Sequence, residues 1–562
     1  MPTSTGTSSR RSWRRAATSL PNCLRRSICD KEGLAWSPQG VRHLAGFAKA
    51  YATYVEGGWQ ALSADPEFGG QGMPLSLSIA FGEQLASANM AFSLCMILSS
   101  GAVEALSAHG SEELKRLYLP KLISGEWTGT MNLTEPQAGS DVGPLATLAT
   151  PADDGTWRIR GSKIFISWGE HELAKNIIHL VLARTPGSPP GTRGISLFVV
   201  PKFLPDAEGK RGSRNDLSCV SIEHKLGIHA SPTCTMSFGD DGKCVGWLVG
   251  ELNGGMRAMF AMMNHARLNV GIEGVAIAER AYQGALGYAR ERVQSAPIGG
   301  GMPVRIIEHP DVRRMLMTMR AITQGIRAIA YLNAAAIDRS RAETDPEAKV
   351  AARGLADLLT PITKAYATDM GVEVAGIGIQ VFGGMGFIEE AGAAQHWRDS
   401  RIAPIYEGTN GIQALDLVGR KLRLEHGAHW RRLFDEMTAF CGATAAGEPA
   451  MLRSGFQQYT ALLTEATTWI ADVSLMDAAT VATPYLRMFG IVLAAYLLLR
   501  QAAAAQTRLV SGADAVDFLS AKVATARFFV DNILPQVTGI YTAVMQGNVS
   551  RLFALSEAQL CG

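Results

Sequence analysis

The sequence predicts a mostly helical α+β protein with a helical N-terminal domain, a middle β domain, a helical bundle and an additional C-terminal helical domain. Three observations predict it. Apolar residues recur at three- and four-residue steps over about 37–123 and again from about 254 onward. Between them, over 126–246, short strand-forming runs alternate with Pro- and Gly-rich loops. The 562 residues, 47% hydrophobic and 19% charged, exceed one ordinary domain and describe a well-buried globular chain.

Residues 1–33 are atypical. Arg10, Arg11, Arg14, Arg15, Arg25 and Arg26 lie among Ser and Thr, with no acidic residue before Asp30. An organellar transit peptide, a disordered basic arm and a mis-assigned start all fit this composition. Over 34–125, the steps Val41, Leu44, Phe47, Tyr51 and Ala86, Met90, Leu94, Leu98 predict helices, with a glycine-rich loop from Pro66 to Gly72. Over 126–246, Trp157–Ile166, Ile177–Ala183 and Ile195–Val200 read as strands. Over 254–425, the stretch from Met256 to Val293 has few breakers, and Ala258, Ala261, Met262, His265 and Leu268 share a stripe. Further helices are predicted over 309–340 and 346–380. Residues 430–562 form the additional helical unit; there Met488–Leu499, between Arg487 and Arg500, reads as a buried helix too short to span a bilayer.

Charge and cysteine usage narrow the function classes. A net charge of +2 gives no global attraction to nucleic acid or an anionic membrane. The eight cysteines are scattered without a CxxC pair, so reduced thiols in a cytoplasmic setting are expected, with neither a disulfide framework nor a metal site.

Three glycine-bearing segments carry the chemistry. Asn132–Asp141 offers hydroxyls and close backbone approach, and Gln380–Phe387 follows a helix and is able to receive a phosphate. Pro404–Gly411 holds Glu407 between Ile405, Tyr406 and Gly408, where partial desolvation favours a general base. None is a Rossmann GxGxxG between strand and helix.

In this order TEPQAGSD (134–141), QVFGGMGF (380–387) and IYEGTNGIQ (405–413) resemble the acyl-CoA dehydrogenase family over about 40–425. Within it, Trp59, Asp65–Gly72, Ser87–Phe92, Gly125–Asn132 and the extension past 430 are similar to the longer bacterial 3-methylmercaptopropionyl-CoA dehydrogenase group. The resemblance implies that the middle domain is a β-barrel. It further implies FAD as cofactor, an acyl-CoA substrate and Glu407 as the base that removes the α-proton, while the β-hydride passes to the flavin and a 2-enoyl-CoA results. Excluding water and hydrogen-bonding the thioester carbonyl would stabilise the developing enolate.

Other roles are likewise implied by the resemblance. Leu133, Thr134, Gly139 and Ser140 match flavin or pyrophosphate contacts, Ser140 also approaching CoA. Phe165, Ile166 and Ser167 stand where many members have Trp-Ile-Thr against the flavin; ordinary strand packing is the alternative. Asn264 and Arg267 match substrate-side residues, a surface ion pair being the alternative for Arg267. Arg292 matches a pyrophosphate-binding arginine that Arg290 could replace. Gln380, Gly383 and Gly384 match contacts to a neighbouring subunit's FAD, which implies at least a homodimer, and Thr409 and Asn410 would finish the nucleotide site. An electron-transfer flavoprotein is the implied acceptor.

Two departures stand out: Gln294-Ser295-Ala296-Pro297 replaces the usual aromatic-glycine pair, and Pro310 replaces a flavin-binding Gln, removing a donor. His265 and His309 read as structural. A competing expectation is a DNA-associated stress-response or scaffold flavoprotein, which would need a basic patch on 430–562, where the arginines are dispersed among acids.

Overall fold

A computed structural model describes residues 34–38, 40–43, 46–442 and 448–562, with side chains from 452 onward in the last stretch. The basic segment 1–33 and Leu44 lie outside them. The chain divides into two compact units, one ending at Asn269 and the other beginning at Val270.

The first unit opens on a feature that helical periodicity did not predict: a hairpin of β1 (Ala35–Ser37) and β2 (Gly40–Arg42). Val41, counted above as a helix position, sits in β2 and packs into the core of the β domain, while Trp36 Nε1 donates to the carbonyl of Cys219 at 3.1 Å. Helices follow: α1 (Phe47–Glu56), α2 (Leu75–Ala88), α3 (Met90–His109) and α4 (Glu112–Ser124). The stripe from Ala86 to Leu98 is split at Asn89, whose extended backbone ends α2 and whose side chain accepts from Phe92 N–H at 2.9 Å to cap α3. Ser111 caps α4 in the same way, acids fill its first turn, and Gly125 ends it in the left-handed region.

The β domain contains β3 (Trp127–Asn132), β4 (Leu148–Pro151), β5 (Trp157–Ser167), β6 (Asn176–Arg184), β7 (Ile195–Pro201), β8 (Phe203–Pro205), β9 (Arg211–Arg214), β10 (Leu217–Ile222), β11 (Thr233–Phe238) and β12 (Val245–Val249). Its pairings close a ring: β5 pairs β12, β12 pairs β7, β7 pairs β6, β6 meets β4 at Arg184 and Leu148, and β4 pairs β5. That closure is the expected barrel; β10–β11 extend it on one side, and β3 adds in parallel to β6. Ile159, Ile166, Val181, Phe198, Met236 and Phe238 are part of its core. Every residue of β3 is buried. Its Gly129 is required because a Cβ there would stand 2.4 Å from that of Ala102 on α3, and its N–H donates to Ser99 Oγ at 3.1 Å.

Helix α5 (Gly255–Glu291) begins in the first unit and continues into the second. There it meets α6 (Pro310–Ala342) and α7 (Pro346–Phe382), joined by a short link in which Asp345 caps α7 through Ala348 N–H. Pro310 is the first residue of α6, where its missing N–H costs nothing. Then come α8 (Ala393–Ser400), α9 (Asn410–Gly419), α10 (Ala428–Gly442), α11 (Glu448–Asp472), α12 (Leu475–Thr480), α13 (Ala482–Val510), α14 (Val516–Asn532), α15 (Gln536–Val544) and two short helices, Val549–Leu552 and Glu557–Leu560.

The helices past 430 pack against the bundle: Arg487 meets Glu373 at 3.1 Å, Arg320 donates to Thr525 at 3.1 Å and Lys522 to Gln324 at 3.1 Å. Several of the dispersed cations are engaged locally, with Arg431, Arg453 and Arg500 lying over Trp430, Phe440 and Tyr496. The run Met488–Leu499 lies within a 29-residue helix, so its length alone does not exclude a span. Among the described residues, three helical stretches, Met90–His109, Pro346–Phe387 and Ala482–Val510, are long and apolar enough to cross a membrane. The apolar windows of the first and third are 83% and 78% buried in protein, which accounts for their apolarity as packing surface.

Candidate active site

In the first unit the segment after β3 is pinned from below. Backbone bonds from Glu135 N to Ala138 O (3.0 Å) and from Ala138 N to Glu135 O (2.9 Å) close a tight turn. Beneath it, Lys163 Nζ donates to Glu135 Oε1 at 2.8 Å and to the carbonyl of Leu133 at 3.1 Å, both side chains being buried. Burial alone would raise the Glu135 pKa, but the Lys163 ammonium and donors from Thr147 and Ala146 hold it below the usual carboxylate range. Burial lowers that of Lys163, and Glu135 works against the lowering.

This anchoring brings Leu133 and Thr134 beside the end of β5. Ile164 N donates to Thr134 O at 2.9 Å, and Thr130 Oγ1 donates to Ser167 O at 2.7 Å. Phe165 adopts φ 59°, a left-handed conformation costing a residue with a Cβ roughly 1–2 kcal/mol, and the residue is 59% exposed. Ile166, by contrast, points its side chain into the barrel core, leaving only its backbone to face a ligand. Gly139 and Ser140 are exposed, and no protein atom lies within 4 Å of where a Gly139 side chain would begin. An exposed aromatic ring beside backbone groups and a glycine cradle fits the flavin expected from the motifs. On α5, Arg267 is only 5% exposed, so the surface ion pair offered as its alternative is ruled out; its Nη1 lies 3.5 Å from Asn264 Oδ1.

In the second unit, Glu407 occupies the loop between α8 and α9. Bonds from Ile405 and Tyr406 N–H to Ile402 O and from Asn410 N–H to Pro404 O coil this loop tightly. Glu407 itself has φ 56° and Gly408 φ 83°. Gln413, fully buried, donates to both of their carbonyls at 3.4 and 3.2 Å. A half-buried carboxylate in a strained conformation, fixed by neighbouring hydrogen bonds, is the arrangement expected of a positioned general base.

Thr409 and Asn410, expected to finish the nucleotide site, have structural bonds of their own. Thr409 caps α9 by accepting from Ile412 N–H at 3.3 Å. Asn410 accepts from Lys364 Nζ at 2.9 Å and donates to Ala365 O, Thr368 Oγ1 and Asp369 Oδ1 at 3.1, 3.0 and 2.7 Å. Their side chains are oriented by the protein itself.

Gln380, Gly383 and Gly384 are exposed at the end of α7, with open space around both glycines. Arg292 and Arg290 are both exposed; Arg292 Nη2 donates to Gln294 Oε1 at 3.0 Å. The departing sequence 294–297 lies in a loop tied by His309 Nε2 to the Gln294 carbonyl at 2.8 Å, a structural use of that histidine. Sequence reasoning missed Lys163, Glu135, Lys364, Asp369 and above all Glu273, which receives a hydrogen bond from the Tyr406 hydroxyl. Only the isolation of an acid in the apolar run Val270–Val275 signals that last contact.

Comparison with known proteins adds a second line of observation. Residues 39–126, 130–240 and 253–422 match the N-terminal, middle and C-terminal domains of acyl-CoA dehydrogenase, and 433–552 match the acetyl-CoA dehydrogenase C-terminal-like domain. The chain is 47% identical over 541 residues to the 3-methylmercaptopropionyl-CoA dehydrogenase of Ruegeria pomeroyi, covering 94% of this chain and 90% of that one. It is 38% identical to a butyryl-CoA dehydrogenase of Syntrophomonas wolfei, covering 91% and 86%. Its fold is similar, at a TM-score of 0.77 and 20% identity over 100% of this chain and 92% of the other, to an acyl-CoA dehydrogenase of Bacillus anthracis solved with FAD.

Proposed function

The chain belongs to the acyl-CoA dehydrogenase family, and from that premise we propose that it oxidises a short or medium acyl-CoA, 3-(methylthio)propanoyl-CoA foremost, to the 2-enoyl-CoA. FAD, when bound, supplies the acceptor for the hydride leaving the β-carbon. The chain's own residues perform the rest. Glu407 takes the α-proton, and its left-handed backbone fixes where the carboxylate points. Its backbone N–H is the donor assigned to the thioester carbonyl, where negative charge develops as the proton leaves. Phe165 supplies an aromatic face for the isoalloxazine ring, and Thr134 and Ser167 supply polar groups at its edge. Arg292 is the cation assigned to the pyrophosphate.

The single observation that carries this reading is Glu407, strained and half-buried in a motif loop that neighbouring side chains hold rigid. The 47% relative supports the methylthio substrate. Exposed Met385, Phe387 and Ile388 beside Gly383 and Gly384, at the end of a helical stretch whose apolar window is only 39% buried, support an assembly of at least two chains. Electron-transfer flavoprotein as acceptor and a cytoplasmic setting complete the proposal. Purified protein should be yellow, and Glu407→Gln should keep FAD yet lose anaerobic bleaching by 3-(methylthio)propanoyl-CoA; normal bleaching by that variant would remove Glu407 from the role.

A further inference from the structure

Glu273, on α5, has no part in the chemistry just assigned, yet it is 0% exposed. Close helix packing puts it there: a Cβ on Gly274 would stand 2.4 Å from the Ala367 carbonyl oxygen of α7, and one on Gly371 2.8 Å from the Gly274 carbonyl oxygen. Its Oε2 accepts from the Tyr406 hydroxyl, while Oε1 is buried with no hydrogen-bond partner among the described residues. Tyr406 immediately precedes Glu407. The titratable groups that face Glu273 are therefore Tyr406 and Glu407 from the loop before α9 and Lys364 from α7.

We propose that Glu273 is a positioning residue for the base: through Tyr406 it holds the segment bearing Glu407. This rests on Glu407 being the base. Electrostatics agree with the geometry. Burial pushes the Glu273 carboxyl up to about 8; the Tyr406 hydrogen bond draws it down, the Glu407 charge raises it and Lys364 lowers it. Coupling between two acids is reciprocal, so the proton affinity of each depends on the charge of the other. While it keeps its proton, Glu273 spares the Glu407 carboxylate a second nearby charge.

The test combines infrared titration of the purified full-length protein with stopped-flow bleaching of its flavin by butyryl-CoA. Wild type should show a protonated-carboxyl band that disappears near pH 8 and is missing from Glu273→Gln. In Glu407→Gln the band should persist with its midpoint moved to lower pH, because the neighbouring charge is gone. Tyr406→Phe, which removes the hydrogen bond and no carboxylate, should move the midpoint upward. The bleaching rate of Glu273→Gln should lack the inflection near pH 8 seen in wild type, with KM for butyryl-CoA unchanged. A purely structural Glu273 would slow bleaching equally at every pH. An unmoved midpoint in Glu407→Gln, or a wild-type pH profile in Glu273→Gln, overturns the proposal. Should Glu273→Gln fail to fold, the Glu407→Gln and Tyr406→Phe midpoints decide. If no acyl-CoA bleaches wild type, the dehydrogenase reading fails while the infrared midpoints still judge the coupling.

Discussion

Lys163 and Glu135 are both buried, 2.8 Å apart, beneath the turn that presents Thr134. Removing one partner of such a pair leaves the other charge desolvated and costs about 3–5 kcal/mol, far more than an exposed pair. Lys163→Met should therefore lose that much in urea unfolding, and Lys163→Met with Glu135→Leu should recover most of it; a double variant no more stable than the single would show that the pair is not coupled. At this scale the sequence disclosed motifs better than partnerships. The motif loops that carry Glu407, Thr134 and Gly383 stood out because loop chemistry and motif order sit within a few residues. Glu273 was not, because the Tyr406 hydroxyl that gives it meaning is 133 positions away. The capping role of Thr409 and the bridge that Asn410 makes between Lys364 and Asp369 were hidden for a related reason: in sequence a cap and a buried amide look the same as a ligand contact.

Secondary-structure elements were legible where one periodicity ran unopposed. The expected helices 309–340 and 346–380 correspond to Pro310–Ala342 and Pro346–Phe382, each with a proline in its first position. The hairpin at Ala35–Arg42 was hidden because three-residue strands are too short to display a period, and Val41 happened to fall in step with the helix behind it. The barrel's closure through one β4–β6 pairing is a tertiary fact with no local pattern. The contact of β3 with α3 yields a prediction that belongs to these two elements. Gly129→Ala would place its Cβ 2.4 Å from Ala102 Cβ, overpacking that costs about 1–3 kcal/mol. Adding Ala102→Gly should restore most of the melting temperature, since the same space is then vacated from the helix side. Failure of that rescue would mean that β3 is constrained elsewhere than by α3.

Across the whole molecule, buried histidines and one buried acid pull stability in opposite directions with pH. In the first unit, burial pushes His43 down to about 4 and His179 down to about 3, Lys202 adding to the latter; His171 is lowered by burial and by His43, Lys202 and His179. Below about 6.5 the unfolded chain binds protons that these rings refuse, so stability is full above that pH and is lost as pH falls. Each tenfold difference in proton affinity between folded and unfolded chain is worth about 1.4 kcal/mol once the group has titrated. In the second unit the folded chain keeps a proton on Glu273 up to about 8, whereas an unfolded Glu releases it near 4.5. This acid acts the other way: stability declines as pH rises from about 4.5 through 8. Below 6.5 these histidines, joined by His396, which burial lowers to about 4, outweigh one acid, and between 6.5 and 8 the acid acts without them. Urea unfolding from about pH 4.5 to 8 should therefore give maximal stability near 6.5, a steep acid limb and a shallow alkaline one. Glu273→Gln should flatten the alkaline limb and leave the acid limb standing, because its amide does not titrate. An alkaline limb unchanged in that variant would mean that Glu273 is already ionised at neutral pH, which would also undercut its proposed hold on Glu407.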